Sequence, residues 1–191
     1  FGGKAVMTRT DHKSGTDRIE EAIEIIGGDF DVVINIQGDE PFIQKSQIEE
    51  LCRCFDDENT QIATLGMPFT EQQSLAALEN PNSPKIVVDN NNYAMYFSRS
   101  VIPYLRNVPR ENWLTAHQYL KHIGLYAYRA LFLKRFSTLK RSPIERFESL
   151  EQLRAMWYGY KIAVTVLPEN LPAGVDTQED LERVRSAFLN R

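Results

Sequence analysis

A short apolar run at residues 31–37, DVVINIQ, ends abruptly in GDEP at residues 38–41. Its β-branched residues, apolar on both faces, predict a buried strand in the centre of a parallel sheet. The glycine and the proline end that strand, and Asp39 and Glu40 follow at its carboxyl end. Ligands of open α/β sheets bind beyond the carboxyl ends of the strands, so this junction is the first candidate for a functional site.

Helices and strands alternate on both sides of this run. A helix is predicted over residues 14–26, with Ser14 and Asp17 as capping residues. The other predicted elements are a helix carrying Ile48, Leu51 and Phe55, strands at 61–67, 122–128 and 161–167, helices at 130–139 and 142–158, and a final helix carrying Leu181, Val184 and Phe188. This order predicts one Rossmann-like α/β domain over residues 1–191, with a largely parallel sheet flanked by helices.

The alternation of helices and strands is interrupted between residues 84 and 120. Segments 85–88 and 93–97, joined by an Asp-Asn-Asn-Asn turn, predict a β-hairpin, and residues 107–116 predict a loop. We expect this β-excursion to form a small dimerisation subdomain.

Composition excludes several classes of protein. The 191 residues are 42% apolar and 25% charged, which is typical of a globular chain, and the net charge of −4 argues against a nucleic-acid binder. No stretch approaches the roughly 20 apolar residues of a membrane helix, and no secretory leader is recognisable. Cys52 and Cys54 are too close to bridge readily. We therefore expect a reduced, cytoplasmic compartment without membrane contact.

Two carboxylates are candidate metal ligands. Asp39 follows the strand at 31–37, and Asp176 lies in the loop after the strand at 161–167. Magnesium prefers oxygen ligands, and one or two carboxylates together with substrate phosphates commonly hold it. The alternative is that each aspartate is a turn or helix-cap residue, since Asp is favoured in both positions.

Several longer motifs carry a family resemblance. They are TRTDHKSGTDR at 8–18, INIQGDEPF at 34–42, KIVVD at 85–89 with YFSR at 96–99, HIGLY at 122–126, LEQLR at 150–154 and GVDT at 174–177. Together they resemble the nucleotidyltransferases that activate acidic sugars as CMP conjugates. More narrowly, the chain resembles the 3-deoxy-manno-octulosonate (Kdo) cytidylyltransferases, also called CMP-Kdo synthetases.

The resemblance implies roles for particular residues. Those implied for Mg²⁺ are Asp39 and Asp176; those for CTP are Arg9, Ser14, Gly15 and Gln37; those for the sugar are Arg99, His122, Tyr126, Glu151 and Gln152. A sugar acid needs a cation and several neutral donors and acceptors, which this last group supplies. The alternatives are that His122 is a hydrogen-bonded core histidine and that Glu151 or Gln152 is a solvated helix residue.

The implied reaction is attack of the Kdo anomeric hydroxyl on the α-phosphorus of CTP, with release of pyrophosphate. The product, CMP-Kdo, would serve lipopolysaccharide assembly, and the enzyme would act as a Mg²⁺-dependent homodimer. Two other functions remain open: a cytidylyltransferase for another acidic sugar of the sialic-acid type, and a non-catalytic nucleotide-binding relative.

One part of the family pattern has no match in residues 1–191. The family begins with a strand and a loop whose arginine and lysine cradle the triphosphate. We expect the natural chain to be longer and to carry this segment, a true truncation being the alternative. A 191-residue protein without the segment would aggregate or bind CTP weakly, because phosphates depend on such a loop for neutralisation.

Overall fold

The computed structural model describes residues 2–38, 43–70, 73–168, 181–182 and 185–186. Its strands are β1 (Val32–Asn35), β2 (Ile62–Pro68), β3 (Lys85–Val88), β4 (Ala94–Ser98), β5 (Leu120–Arg129) and β6 (Ile162–Val166). Its helices are α1 (Gly15–Ile26), α2 (Lys45–Arg53), α3 (Leu75–Glu79), α4 (Trp113–Ala116), α5 (Ala130–Thr138), α6 (Pro143–Glu148) and α7 (Leu153–Trp157). The predicted α/β class is confirmed. Val184 and Phe188 of the predicted final helix lie outside the described residues.

The six strands form one sheet, but the prediction that it is largely parallel needs correction. The strand order is β4-β3-β5-β2-β6, and β1 also pairs with β5. Among the described strands only the ladder between β2 and β6 is parallel, because β5 runs antiparallel to β1, β2 and β3. Four strands do share one direction, but the long β5 is inserted among them. A buried apolar run looks the same in either direction, so burial could not predict this insertion.

The opening run also differs from its prediction. Burial alternates along β1, with Val33 and Asn35 buried and Val32 and Ile34 half-buried, and Ile36 beyond the strand is 47% exposed. Within the described residues β1 pairs only with β5. The strand buried on both faces is instead β2, in which six of the seven residues are buried.

Helices cover both faces of the sheet. Helix α2 packs Leu51, with Phe55 beyond its end, on the face formed by Ala63, Leu65 and Ala127. The opposite face packs against α1, α5 and α7 through a larger core that includes Ile19, Phe132, Phe136 and Leu153. This second face also carries the candidate site. Within the described residues, no helix is long and apolar enough to cross a membrane.

The excursion at 84–120 is partly integrated into the sheet. The predicted hairpin is confirmed, since β3 and β4 pair antiparallel and β3 also pairs with β5. The remainder packs in a small separate core around Trp113 and Tyr119, together with Phe69 and Leu78. The segment predicted as a loop at 107–116 contains a 3-10 turn and α4. The dimerisation role stays a prediction.

The helix predicted over residues 142–158 is two helices. Ser142 and Glu145 form the predicted capping box of α6, which ends at Ser149 in the left-handed region (φ 50°, ψ 47°). Helix α7 begins only at Leu153. Tertiary contacts made by Glu148 break the helix: Ser98 Oγ donates to its Oε1 (2.6 Å) and the Arg99 N–H to its Oε2 (2.9 Å). The turn at residues 149–152 results.

Candidate functional site

The site lies where two strands diverge along one edge of β5. Strand β3 pairs with the start of β5 and β1 with its end, and both lie on the edge opposite β2. Residues 122–125 therefore lie between the two ladders, and the carboxyl end of β1 faces this stretch. A cavity of about 390 Å³ opens here. Its position agrees with the general preference of ligands for strand carboxyl ends.

The cavity brings together more than half of the residues that the sequence singled out. They are Gly15, Gln37, His122, Tyr126, Glu151 and Gln152. Four elements contribute: the start of α1, the segment after β1, strand β5 and the turn at 149–152. Residues distant in sequence thus meet in one place, and the turn belongs to the site because the predicted helix is broken there.

His122 is a neutral histidine held by a threonine. The ring is 8% exposed, and its Nε2 lies 3.1 Å from Thr64 Oγ1. Phe97 packs edge-on against the ring, with the centroids 5.3 Å apart. Burial disfavours the imidazolium and Lys121 adds a like charge, so the pKa of His122 is lowered to about 3. At neutral pH the ring therefore offers one donor and one acceptor.

Tyr126 and Gln152 each present a polar atom that has no partner among the described residues. Within the described part of the chain, Tyr126 Oη and Gln152 Nε2 are buried side-chain atoms with no hydrogen bond. Buried polar groups are nearly always satisfied, and an unsatisfied one costs about 1–3 kcal/mol. Both residues line the cavity. Burial raises the pKa of Tyr126 well above its usual value, so its hydroxyl stays protonated. The arrangement fits a ligand that supplies the missing partners.

Glu151 is anchored on both oxygens. Thr16 Oγ1 donates to Oε2 (2.7 Å), and Arg154 Nη2 donates to Oε1 (3.2 Å). Arg154 is 3% exposed and also makes a bidentate pair with buried Glu145 (2.9 and 2.6 Å). Although burial disfavours the charged guanidinium, the hydrogen bonds to Glu145 and the charge of Glu151 raise the pKa of Arg154. The Glu151 carboxylate is therefore fixed at the cavity wall and joined to the start of α1.

The cavity carries no lysine or arginine among its described lining residues, and Glu151 is its one formal charge. An adjoining opening of about 350 Å³ shares residues 149–151 with it and is lined by Arg141 and Arg146. The charge distribution is therefore uneven, with neutral donors and acceptors at the centre and cations at one side.

The other two residues implied for CTP, Ser14 and Arg9, lie at this second opening and beyond it. Ser14 lines the opening and caps α1 as predicted, its Oγ accepting from the Asp17 N–H at 3.2 Å. Arg9 lies farther out, with 68% of its side chain exposed and its Nε 3.4 Å from Glu21 Oε1. The structure thus places Ser14 at the rim and does not bring Arg9 into either opening.

Arg99 lies behind the turn at 149–152 and outside the cavity lining. Its guanidinium donates to the backbone carbonyls of Glu148 (2.6 Å), Pro81 (2.7 Å) and Ser149 (3.3 Å). These bonds hold the end of α6 in place. Three of the five guanidinium N–H groups are used in this way, which leaves two for another acceptor.

The predicted metal ligands Asp39 and Asp176 lie outside the described residues. The described chain reaches Gly38, directly after Gln37 at the cavity. No group of three or more histidine, cysteine, aspartate or glutamate residues suited to a metal occurs in the part that is described. The magnesium prediction therefore rests on the donor chemistry of the two aspartates.

Sequence analysis missed several residues of the site. Thr16, Asn35 and Tyr128 line the cavity, and Arg154 anchors it. Two of them carry a sequence signal: Tyr128 continues the alternation of His122 and Tyr126 along β5, and Asn35 precedes Gln37 by two positions. Thr16 and Arg154 carry none, because their roles depend on contacts between distant segments.

Comparison with known proteins identifies the family. A family model described as cytidylyltransferase matches residues 1–162. The chain belongs to the cytidylyltransferase family. Among the family's curated members, a 3-deoxy-manno-octulosonate cytidylyltransferase from Bacteroides thetaiotaomicron is 56% identical over 191 residues, which is 100% of this chain and 76% of the relative. One from Phocaeicola vulgatus is 57% identical over 100% of this chain and 75% of its own.

A solved structure supports the same assignment. It is a CMP:2-keto-3-deoxy-manno-octonic acid synthetase complexed with CTP, and it is 42% identical to this chain with a TM-score of 0.86. The match covers 99% of this chain and 73% of that chain. The predicted resemblance is confirmed, and the fold of the described residues is that of the family.

Proposed function

We propose that this protein transfers CMP from CTP to the anomeric hydroxyl of Kdo, giving CMP-Kdo and pyrophosphate. The observation that carries the proposal is the cavity at the β1–β3 divergence, with its unpartnered Tyr126 and Gln152 atoms. Relatives at 56 and 57% identity bear the name of this activity. In the reaction the hydroxyl oxygen forms a bond to the α-phosphorus, the bond to the bridging oxygen breaks, and the hydroxyl proton is released.

The cavity suits a ligand with several hydroxyls. Gln152 Nε2 is a donor, Glu151 is an acceptor, the Tyr126 hydroxyl offers both kinds of contact, and the neutral His122 offers the ring nitrogen that Thr64 does not contact. Each hydroxyl of a sugar can donate one hydrogen bond and accept others, so this set can hold it in one orientation. Such positioning is the main contribution that a protein makes to phosphoryl-type transfer.

The sugar carboxylate needs a cation from outside the cavity lining. Arg99 has two N–H groups available beyond those on backbone carbonyls. We propose that Arg99 pairs with the carboxylate while it holds the turn carrying Glu151 and Gln152. A charge-assisted contact of this kind is roughly twice as strong as a neutral one.

On the nucleotide side we propose that Arg9, Ser14, Gly15 and Gln37 contact CTP. Gly15 and Gln37 line the same cavity as the sugar residues, and Ser14 lies at the adjoining opening. Asp39 and Asp176 would hold Mg²⁺, which when bound neutralises phosphate charge and polarises the attacking oxygen. Carboxylate oxygens are suitable ligands for this ion.

The proposal extends to the setting of the enzyme. The free thiols of Cys52 and Cys54 agree with a reduced cytoplasmic compartment. The excursion at 84–120, with exposed Met95 and Tyr104, is the proposed surface of a homodimer. Sedimentation of the protein at several concentrations tests the dimer.

The activity is tested by following pyrophosphate release from CTP, Kdo and Mg²⁺. We expect turnover by the protein when it carries the triphosphate segment expected for the natural chain, and loss of at least about 100-fold in Asp39→Asn, which keeps the shape but removes the charge. Asp29→Asn, at an exposed position outside the site, is the matched control and should retain full turnover.

A competition arm separates Kdo from related sugar acids. Turnover with a neuraminic acid in place of Kdo would favour the sialic-acid alternative. Absence of turnover with either sugar, by a protein that binds CTP, would contradict the proposed activity.

A further inference from the structure

Thr64 is a buried polar residue that the proposed mechanism does not yet use. It lies in the middle of β2, has no exposed surface, and faces His122 across the sheet. Its Oγ1 is 3.1 Å from His122 Nε2, 2.9 Å from the Leu125 carbonyl oxygen and 3.3 Å from the Ile123 carbonyl oxygen. Three polar atoms therefore lie within 3.3 Å of one hydroxyl.

A hydroxyl carries a single hydrogen, and this fixes the direction of each hydrogen bond that Thr64 makes. A threonine hydroxyl has one hydrogen to donate, and a carbonyl oxygen can only accept. Two oxygens 2.9 Å apart without a hydrogen between them would repel each other, so the hydrogen is directed to the nearer carbonyl oxygen, Leu125 O. Thr64 Oγ1 can then only accept from His122, so Nε2 must carry a hydrogen.

The local backbone makes this arrangement specific. The ladder between β2 and β5 changes register at Thr64: Thr64 pairs with Tyr126, but Leu65 pairs with Ile123. Gly124 and Leu125 are therefore extra residues of β5 without partners in β2. Such bulges redirect side chains and are common beside functional sites. Here the Thr64 hydroxyl contacts His122 and binds the backbone of the bulge, and both His122 and Tyr126 line the cavity.

We propose that Thr64 is a positioning residue that fixes His122 as the Nε2–H tautomer, so that Nδ1 accepts a hydrogen bond from a hydroxyl of the sugar. The inference rests on the proposed function for the identity of the ligand. The lowered pKa of His122, about 3, agrees with it because a neutral ring keeps one nitrogen free of hydrogen. The hydrogen bond of one ring nitrogen sets the role of the other, and Thr64 supplies that bond.

Nitrogen-15 NMR of the histidine rings tests the tautomer directly, without any substrate. The protein has three histidines, and His122→Gln identifies the signals of His122 by their loss. We expect wild-type His122 to show protonated Nε2 and unprotonated Nδ1 across neutral pH. Protonated Nδ1, or an averaged signal of exchanging tautomers, would overturn the proposal whatever the enzyme's activity.

Two substitutions then test the consequence for the sugar. Thr64→Val keeps the shape but removes the hydroxyl, and Thr64→Ser keeps the hydroxyl. We expect Thr64→Val to lose the single-tautomer signal and to raise the KM for Kdo about tenfold, with the KM for CTP unchanged. Thr64→Ser should restore both readouts. If Thr64→Val kept both the tautomer signal and the KM for Kdo, the positioning role would be wrong.

The NMR and kinetic readouts separate the two proposals. Absence of CMP transfer by the wild-type protein would contradict the proposed function, whereas the tautomer of His122 would still be decided by NMR. If Thr64→Val does not fold, the wild-type spectrum and Thr64→Ser still decide the question.

Discussion

The two walls of the cavity are built differently. On the wall formed by β5 and the segment at 149–154, His122, Gln152 and Arg154 are 8, 5 and 3% exposed, and buried hydrogen bonds hold His122 and Arg154. The other wall is formed by Gly15 and Thr16 at the start of α1, and in the segment that leads into it the side chains of Arg9 and Asp11 are 68 and 79% exposed. Thr16 and Glu151 join the two walls through one hydrogen bond of 2.7 Å.

This difference indicates how recognition is divided. Burial and hydrogen bonds preorganise the first wall, so its geometry exists before a ligand arrives and little freedom remains to be lost on binding. The second wall has few buried contacts, so changes there should affect ligand binding more than stability.

The largest effect on stability is expected for Arg154→Met. The substitution leaves the buried Glu145 carboxylate without its bidentate partner, and breaking a buried pair in this way costs about 3–5 kcal/mol. Urea denaturation measures the change in free energy of unfolding. The control is Arg141→Met, because Arg141 also approaches Glu145 (3.4 Å) but its side chain is 48% exposed, so a loss under about 1 kcal/mol is expected. Equal losses would contradict a buried network.

A second effect concerns pH and His122. The folded-state pKa of about 3 lies below the ordinary 6.5, so the unfolded chain binds a proton at pH values where the folded protein does not. The free energy of unfolding is therefore unaffected by the titration of His122 above pH 6.5, and it decreases as the pH falls toward 3. Between pH 7 and pH 4.5 the loss is about 2–3 kcal/mol, because each unit is worth about 1.4 kcal/mol.

The comparison for this effect is His122→Gln, measured by urea denaturation at the same two pH values. The change in free energy of unfolding between the two pH values is subtracted between the two proteins, which cancels the titration of all other groups. The wild-type protein should lose more stability on acidification than the variant does. Parallel pH profiles would show that His122 is not buried in its neutral form.

A smaller and opposite effect is expected for the unpartnered amide. Gln152→Leu removes a buried donor that has no hydrogen bond within the described residues, so stability should stay constant or rise by about 1 kcal/mol. Gln47 is the matched control: it is equally buried, but its Oε1 accepts from the Gln44 N–H (2.7 Å). Gln47→Leu should lower thermal stability, and a similar loss in Gln152→Leu would show that its amide is satisfied in the folded protein.

The smallest effect on stability is expected on the exposed wall. Arg9→Ala removes a solvent-exposed pair with Glu21 and should change the free energy of unfolding by less than about 0.5 kcal/mol. If Arg9 contacts CTP as proposed, the KM for CTP should rise several-fold while the KM for Kdo is unchanged. A change in the KM for Kdo alone would contradict the proposed contact of Arg9 with CTP.

Local signals predicted much of the fold. The cap of α1 at Ser14, the capping box at Ser142 and Glu145 and the hairpin of β3 and β4 each depend on neighbours in sequence, and each is confirmed. The motif resemblance predicted the family, and six of the residues that it implied line one cavity.

Long-range contacts explain what sequence could not provide. The direction of β5 depends on which strands flank it, and apolar patterning does not encode this. The break after Glu148 depends on Ser98 and Arg99, about 50 positions earlier, which overrule a continuous helical pattern. Thr64 appears in the sequence as one β-branched residue of a strand, and only the register shift opposite it reveals its contact with His122.

Binding of Kdo tests the preorganised wall most directly. Calorimetry would compare the wild-type protein with the double variant Tyr126→Phe/Gln152→Leu, in the presence of Mg²⁺ and a non-hydrolysable CTP analogue. The double variant lacks both unpartnered polar atoms, and we expect its affinity for Kdo to fall at least about 30-fold while its thermal stability is maintained. Equal affinity of the two proteins for Kdo would contradict the assignment of this cavity to the sugar.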